Sequence, residues 1–132
     1  MQWDDARAHA APIRLVVFVD EQRVPAELEM DENDAACVHA IAFDGARAVG
    51  TGRLLPDGRI GRMAVIVEWR RRGIGAEILE ALIVEAGKRG HKEVLLSAQL
   101  QAAEFYRTHG FVAEGKVFEE AGILHQHMHK TL

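Results

Sequence analysis

Arg70-Arg71-Arg72-Gly73-Ile74-Gly75 lies between a β-prone run and the most regular helical pattern of the chain. Free backbone N–H groups at a helix start, with glycines that let the chain approach closely, form a site for a pyrophosphate, and three arginines add charge for phosphate groups. The stretch lacks the Gly-Lys-Ser/Thr ending of a P-loop, and its short glycine pair is not the full dinucleotide fingerprint. An arginine-rich surface helix start is the plain alternative. Tyr106 stands beside Phe105 in a short helical stretch, where composition alone reads it as a core aromatic. His125, His127 and His129 alternate on one side of a late strand, so three imidazoles on one face could hold zinc. No Cys or Asp accompanies them within the strand, and the expectation is no metal. His39 reads as a packed or cross-strand histidine, with a place in a cleft as the alternative.

The elements that must position these groups follow from the pattern. Residues 4 to 20 carry apolar side chains at helical spacing behind Asp4-Asp5, which suits the positive end of a helix dipole. Pro12 implies a kink, or a late start near Ala11. Glu21 to Asp34 carries six carboxylates and Pro25, and reads as a loop, with a short helix at most, facing solvent or a ligand. Cys37 to Phe43, Ala48 to Leu55 and Arg59 to Val67 are short β-prone runs separated by turn signals, a three-stranded antiparallel meander. Ile74, Ile78, Leu79, Leu82, Ile83 and Ala86 draw one apolar stripe on a helix from Gly73 to Lys88. Glu93 to Ala98 reads as a strand, Gln101 to His109 as a helix, and Phe111 to Phe118 and Leu124 to Leu132 as two last strands. The order is α+β around a central mixed sheet.

With these elements in place, Arg70-x-x-Gly73-x-Gly75, preceded by the strand Arg62-Met63-Ala64-Val65, resembles the acyl-CoA signature of the GCN5-related N-acetyltransferases (GNAT). Phe105-Tyr106-x-x-x-Gly110-Phe111 is similar to that superfamily's second motif, and the resemblance covers residues 37 to 132. It implies a mostly antiparallel sheet with helices on both faces and a V-shaped splay between two central strands, where acetyl-CoA lies like an added strand. It further implies that Arg70, Arg71, Arg72, Gly73, Ile74, Gly75 and Ala76 meet the pyrophosphate, and that Met63, Ala64 and Val65 lie beside the pantetheine. Tyr106 becomes the general acid for the departing thiolate. Gly122-x-x-His125-x-x-Met128 resembles an ending found in one branch of the superfamily, which makes His125 the candidate base. The first helix and following loop should then build the acceptor side. There Asp20, Glu21, Glu27, Glu29, Asp31, Glu32 and Asp34 either favour a cationic acceptor or form a solvated loop. Gln99 and Gln101 could hydrogen-bond the acceptor. Only Met1-Gln2-Trp3 precedes the helix where most relatives have a strand.

Bulk properties bound these readings. The 132 residues, 48% apolar and 27% charged, suit one domain spanning 1–132. A formal charge of −4 argues against nucleic acid or anionic membrane as partner. Lone Cys37 excludes an internal disulfide framework and is expected as a buried structural residue. No membrane span or signal peptide is apparent, so the expected location is cytoplasmic. The function expected is transfer of an acetyl group from acetyl-CoA to a primary amine, with a non-catalytic acyl-CoA-binding regulatory domain as the alternative. A small nucleotide- or nucleic-acid-binding module is a third reading, which the negative charge opposes. A late strand pairing across a two-fold would give a homodimer.

Overall fold

The computed structural model describes residues 1–22 and 32–132 of the chain. Helix α1 spans Trp3–Arg14, with Asp4 and Asp5 in its first turn and Arg14 in its last. It runs through Pro12 rather than starting late, but it does not continue to residue 20 as an α-helix. Leu15–Glu21 is a π-helical segment, in which the Gln22 N–H bonds the Val17 carbonyl five residues back. The change follows one turn after Pro12, whose ring displaces a donor and crowds the preceding turn.

Strands β1 (Val38–Asp44), β2 (Arg47–Leu54) and β3 (Ile60–Val65) form the expected antiparallel meander. Helix α2 covers Ile74–Lys88. Strand β4 (Glu93–Gln99), helix α3 (Ala103–Thr108), and strands β5 (Val112–Glu120) and β6 (Ile123–Thr131) complete the chain. A 3-10 turn at Leu100–Ala102 replaces the start expected for α3. The second sheet is ordered β4-β6-β5. The two sheets meet where β3 and β4 run side by side, through a parallel bridge between Arg59 and Leu95 and the Leu95 N–H bonding the Gly58 carbonyl at 3.1 Å. Past that point the strands part, so the V-shaped splay is present.

Every residue of β2 from Val49 to Leu54 is buried, because helices cover both faces of the first sheet. Ile13 and Val17 pack with Val49, Ala64 and Ile66 on one face. On the other, Ile78, Leu79, Leu82 and Ala86 of α2 join Leu54, Val94, Leu96 and Met128 in the larger core. The helix sits close because β2 presents glycine there. A Cβ on Gly50 would stand 2.8 Å from Ile78, and one on Gly52 would stand 2.9 Å from Ile78 and 3.0 Å from Leu82 and Met63.

One defect in the meander sets the direction of the cleft side chains. Gly50 and Thr51 pair with Val65 and Ala64, whereas Arg53 and Leu54 pair with Gly61 and Ile60. Two residues of β3, Arg62 and Met63, therefore oppose Gly52 alone, and Arg62 takes a left-handed φ of 49°. A bulge reverses the in-out alternation. Beyond it Met63 and Val65, rather than Ala64, face α2.

Asp34 corrects the reading of the acidic segment. It is 1% exposed and takes two hydrogen bonds from Arg14, at 2.9 and 3.2 Å, and one from Arg53 at 2.8 Å. Its carbonyl accepts from His39 Nε2 at 2.9 Å, and His39 is itself buried beside Trp3, away from the cleft. Glu27, Glu29 and Asp31 of the expected acidic mouth, and Pro25, lie outside the described residues. Cys37 is buried, as expected, with its thiol on the Asn33 carbonyl. Met1 exchanges backbone hydrogen bonds with His39, beside β1. Among the described residues, no helix is long and apolar enough to cross a membrane.

Two predictions follow from this packing. Gly52→Val should cost about 1–3 kcal/mol of stability by overpacking, read from denaturant unfolding; an unchanged midpoint would contradict the close contact. Burial alone would raise the Asp34 carboxyl, but the hydrogen bonds and charges of Arg14 and Arg53 outweigh it and hold it below the ordinary carboxylate range. A lowered value means that this stabilisation is complete near neutral pH and is lost as acidity passes below about pH 4. Asp34→Asn should therefore destabilise at pH 7 by about 3–5 kcal/mol and flatten the acid limb of the stability curve. Parallel curves for the two proteins would contradict it.

Candidate functional site

The parting of β3 and β4 opens a cleft of about 1390 Å³. It is walled by the ends of both strands, the start of α2, helix α3, the π-helical segment and the β5–β6 hairpin. Strand edges that leave one another expose backbone donors and acceptors, so an extended ligand with amides of its own can complete both.

At one end the chain leaves β3 through the short turn Val67–Trp69 and enters α2. Arg71 and Gly73 both take left-handed backbone angles, φ 63° and 80°. Left-handed residues at alternate positions curl the backbone into a concave set of N–H groups. The first-turn N–H groups of Ile74, Gly75 and Ala76 have no carbonyl one turn earlier in the helix to bond, and the helix dipole adds positive potential. A Cβ at Gly73 would meet open space, so it is the φ that demands glycine there. Arg70 Nε bonds the Val65 carbonyl at 2.9 Å, tying this loop to the end of β3. This cradle fits a phosphate group.

Met63, Ala64, Val65, Arg70, Arg71, Gly73, Ile74, Gly75 and Ala76 all line the cleft. Arg72 does not. Its guanidinium lies 4.6 Å over the Trp69 ring, and it is Trp69 that lines the wall. An aromatic immediately before a basic run carries no such signal in sequence.

Tyr106, on α3, lines the cleft with its Oη 3.8 Å from Met63 Sδ. Phe105 and Phe111 pack edge-on against its ring, so it serves core and cleft at once. Burial pushes its phenol up to about 12. The side chain is therefore a neutral hydrogen-bond donor at physiological pH.

The far end is built by β4 and β6. Gln101 donates to Gln99 Oε1 and Gln99 donates to Gln22 Oε1, both at 2.6 Å, which links the end of β4 to the π-helical segment. His125 and His127 also line the cleft. Within His125, Nδ1 lies 2.8 Å from the Ile123 carbonyl. A carbonyl only accepts, so Nδ1 carries the hydrogen and a neutral ring keeps its lone pair on Nε2. His127 Nδ1 meets Ser97 Oγ at 2.9 Å, and His129 Nδ1 meets Glu114 at 2.8 Å, outside the cleft lining. The three imidazoles thus take three different partners, and among the described residues no group of three His, Cys, Asp or Glu is arranged to hold a metal ion. Gln22, Ser97 and the cleft role of His127 were not legible beforehand, since only the pairing of β4 with β6 places Ser97 opposite His127.

Residues 7–132 match the family model described as an acetyltransferase (GNAT) domain. YjcF of Bacillus subtilis (strain 168), an uncharacterized N-acetyltransferase, is 41% identical over 122 residues, 89% of this chain and 87% of that protein. The crystal structure of an acyl-CoA N-acyltransferase from Pseudomonas aeruginosa matches with a TM-score of 0.85 at 29% identity, covering 95% of this chain and 89% of that one. Escherichia coli ElaA matches with a TM-score of 0.84 at 27% identity, over 96% and 90%.

Tyr106 is the chain's single tyrosine, so phenolate absorbance during an alkaline titration reports this residue alone. The expected midpoint is about 12. A midpoint at the ordinary phenol value of about 10 would contradict its burial in the cleft wall.

Proposed function

The chain belongs to the GNAT acetyltransferase family, and from that premise we propose that it transfers the acetyl group of acetyl-CoA to a primary amine of a small molecule by direct attack. The observation that carries this reading is the continuity of the cleft. One path runs from the backbone cradle at Arg71 to Ala76, past Tyr106, to His125. A binding module needs the cradle but neither of the other two groups.

In this reading the N–H groups from Arg71 to Ala76 hold the pyrophosphate, and Met63, Ala64 and Val65 flank the pantetheine arm. His125 Nε2 takes a proton from the acceptor ammonium, freeing the lone pair that attacks the thioester carbonyl carbon. As the tetrahedral intermediate collapses, its nitrogen loses its second proton to solvent, the C–S bond breaks, and Tyr106 donates its phenol proton to the departing thiolate, then regains one from solvent. A neutral tyrosine suits that role, because only the protonated phenol can donate.

Thiol release from acetyl-CoA against a panel of amines tests the activity, beside thermal unfolding with and without CoA. CoA should raise Tm, because a ligand that binds only the folded state stabilises it by mass action. Tyr106→Phe and His125→Ala should each lower kcat about 100-fold while keeping that shift in Tm. No shift at millimolar CoA would overturn the cosubstrate. Full turnover in both variants would overturn the roles assigned to them.

A further inference from the structure

Strand β5 also contains a register defect, and it lies beside the proposed base. Val112, Ala113 and Glu114 pair with His129, Met128 and His127, but the next pairs are Phe118 with His125 and Glu119 with Leu124. The register has shifted by two residues. Had it continued unbroken, Lys116 would stand opposite His125. The looped-out residues are pinned by the buried Gln126, whose amide donates to the Glu114 carbonyl at 2.7 Å and the Gly115 carbonyl at 3.1 Å. Gly115 takes the φ of 74° that the turn requires. The bulge replaces an ammonium with an aromatic ring at the cross-strand position of a histidine.

Phe118 uses that position to meet both imidazoles of the cleft wall. Its ring stacks on His127 at 4.4 Å and 29°, and on His125 at 5.7 Å and 23°. His127 is held from the other side by Ser97 on β4. The side chains therefore form a rack across three strands, from Ser97 through His127 and Phe118 to His125. A stacked plane removes the ring rotation that the Ile123 hydrogen bond alone leaves to His125.

We infer that Phe118, set in place by the Gln126-pinned bulge, is a positioning residue that fixes the His125 imidazole with Nε2 toward the acceptor. This rests on His125 being the base. Phe118 does not itself line the cleft, so its effect must pass through the histidines.

The test is a kinetic cycle on the full chain: wild type, Phe118→Leu, Phe118→Tyr, His125→Ala and the Phe118→Leu/His125→Ala double variant. Each is also checked for its CoA-induced shift in Tm. Phe118→Leu should lower kcat about tenfold or more with KM for acetyl-CoA and the CoA shift unchanged, and Phe118→Tyr, which keeps the ring, should recover most of the loss. In the His125→Ala background, Phe118→Leu should cause no further loss. Wild-type kcat in Phe118→Leu, or the same fold-loss with and without His125, would overturn the positioning role while leaving His125 as base. Wild-type turnover in His125→Ala would instead overturn the base assignment, and the positioning role with it.

Discussion

The functional architecture depends on two parallel strands that pair once and then separate. The Arg59–Leu95 bridge holds β3 and β4 together at one end. Beyond it each strand keeps its antiparallel partner, β2 for β3 and β6 for β4, but loses the other. Edge strands with unsatisfied donors and acceptors are ordinarily an invitation to aggregation. Here they face a cleft walled by two helices, a hairpin and the π-helical segment. The core tolerates this opening because α2 seats firmly against Gly50 and Gly52 on one face while α1 covers the other.

Along that cleft the local backbone assigns the chemistry. Left-handed angles at Arg71 and Gly73 curl the backbone of the proposed anion cradle, and the bulge at Arg62 and Met63 turns Met63 toward Tyr106. Burial keeps the tyrosine protonated, and a single carbonyl contact settles which nitrogen of His125 is basic. The Arg14–Asp34–Arg53 network does a different job. It ties α1, β2 and the turn before β1 into one buried unit, at the cost of desolvating three charges, and fixes the end of α1 that leads into the cleft wall.

Much of this was legible in the sequence because it is local. The α2 stripe, the turn signals between strands and the glycine-rich helix start each lie within a few residues, and the two motifs separated by α2 and β4 carried the family resemblance. What could not be read depends on distant pairing. Asp34 resembles its acidic neighbours until Arg14 and Arg53 meet it, twenty and nineteen positions away. An arginine with positive φ at residue 62 violates the usual residue preference, and the tertiary register imposes it. Phe118 reads as an ordinary strand residue, and only the two-residue register shift gives it His125 as a neighbour. His39 was a candidate for the cleft on type alone, and its burial against Asp34 and Trp3 removes it.

The central claim is that the parted edges of β3 and β4 receive acetyl-CoA as a bridging strand. Amide hydrogen exchange followed with and without CoA tests it most directly. The account predicts slowed exchange at Met63 to Val65, at Leu96 to Gln99 and at Arg71 to Ala76, with the outer edge of β5 unchanged. Protection confined to other parts of the molecule, or no protection at saturating CoA, would contradict it.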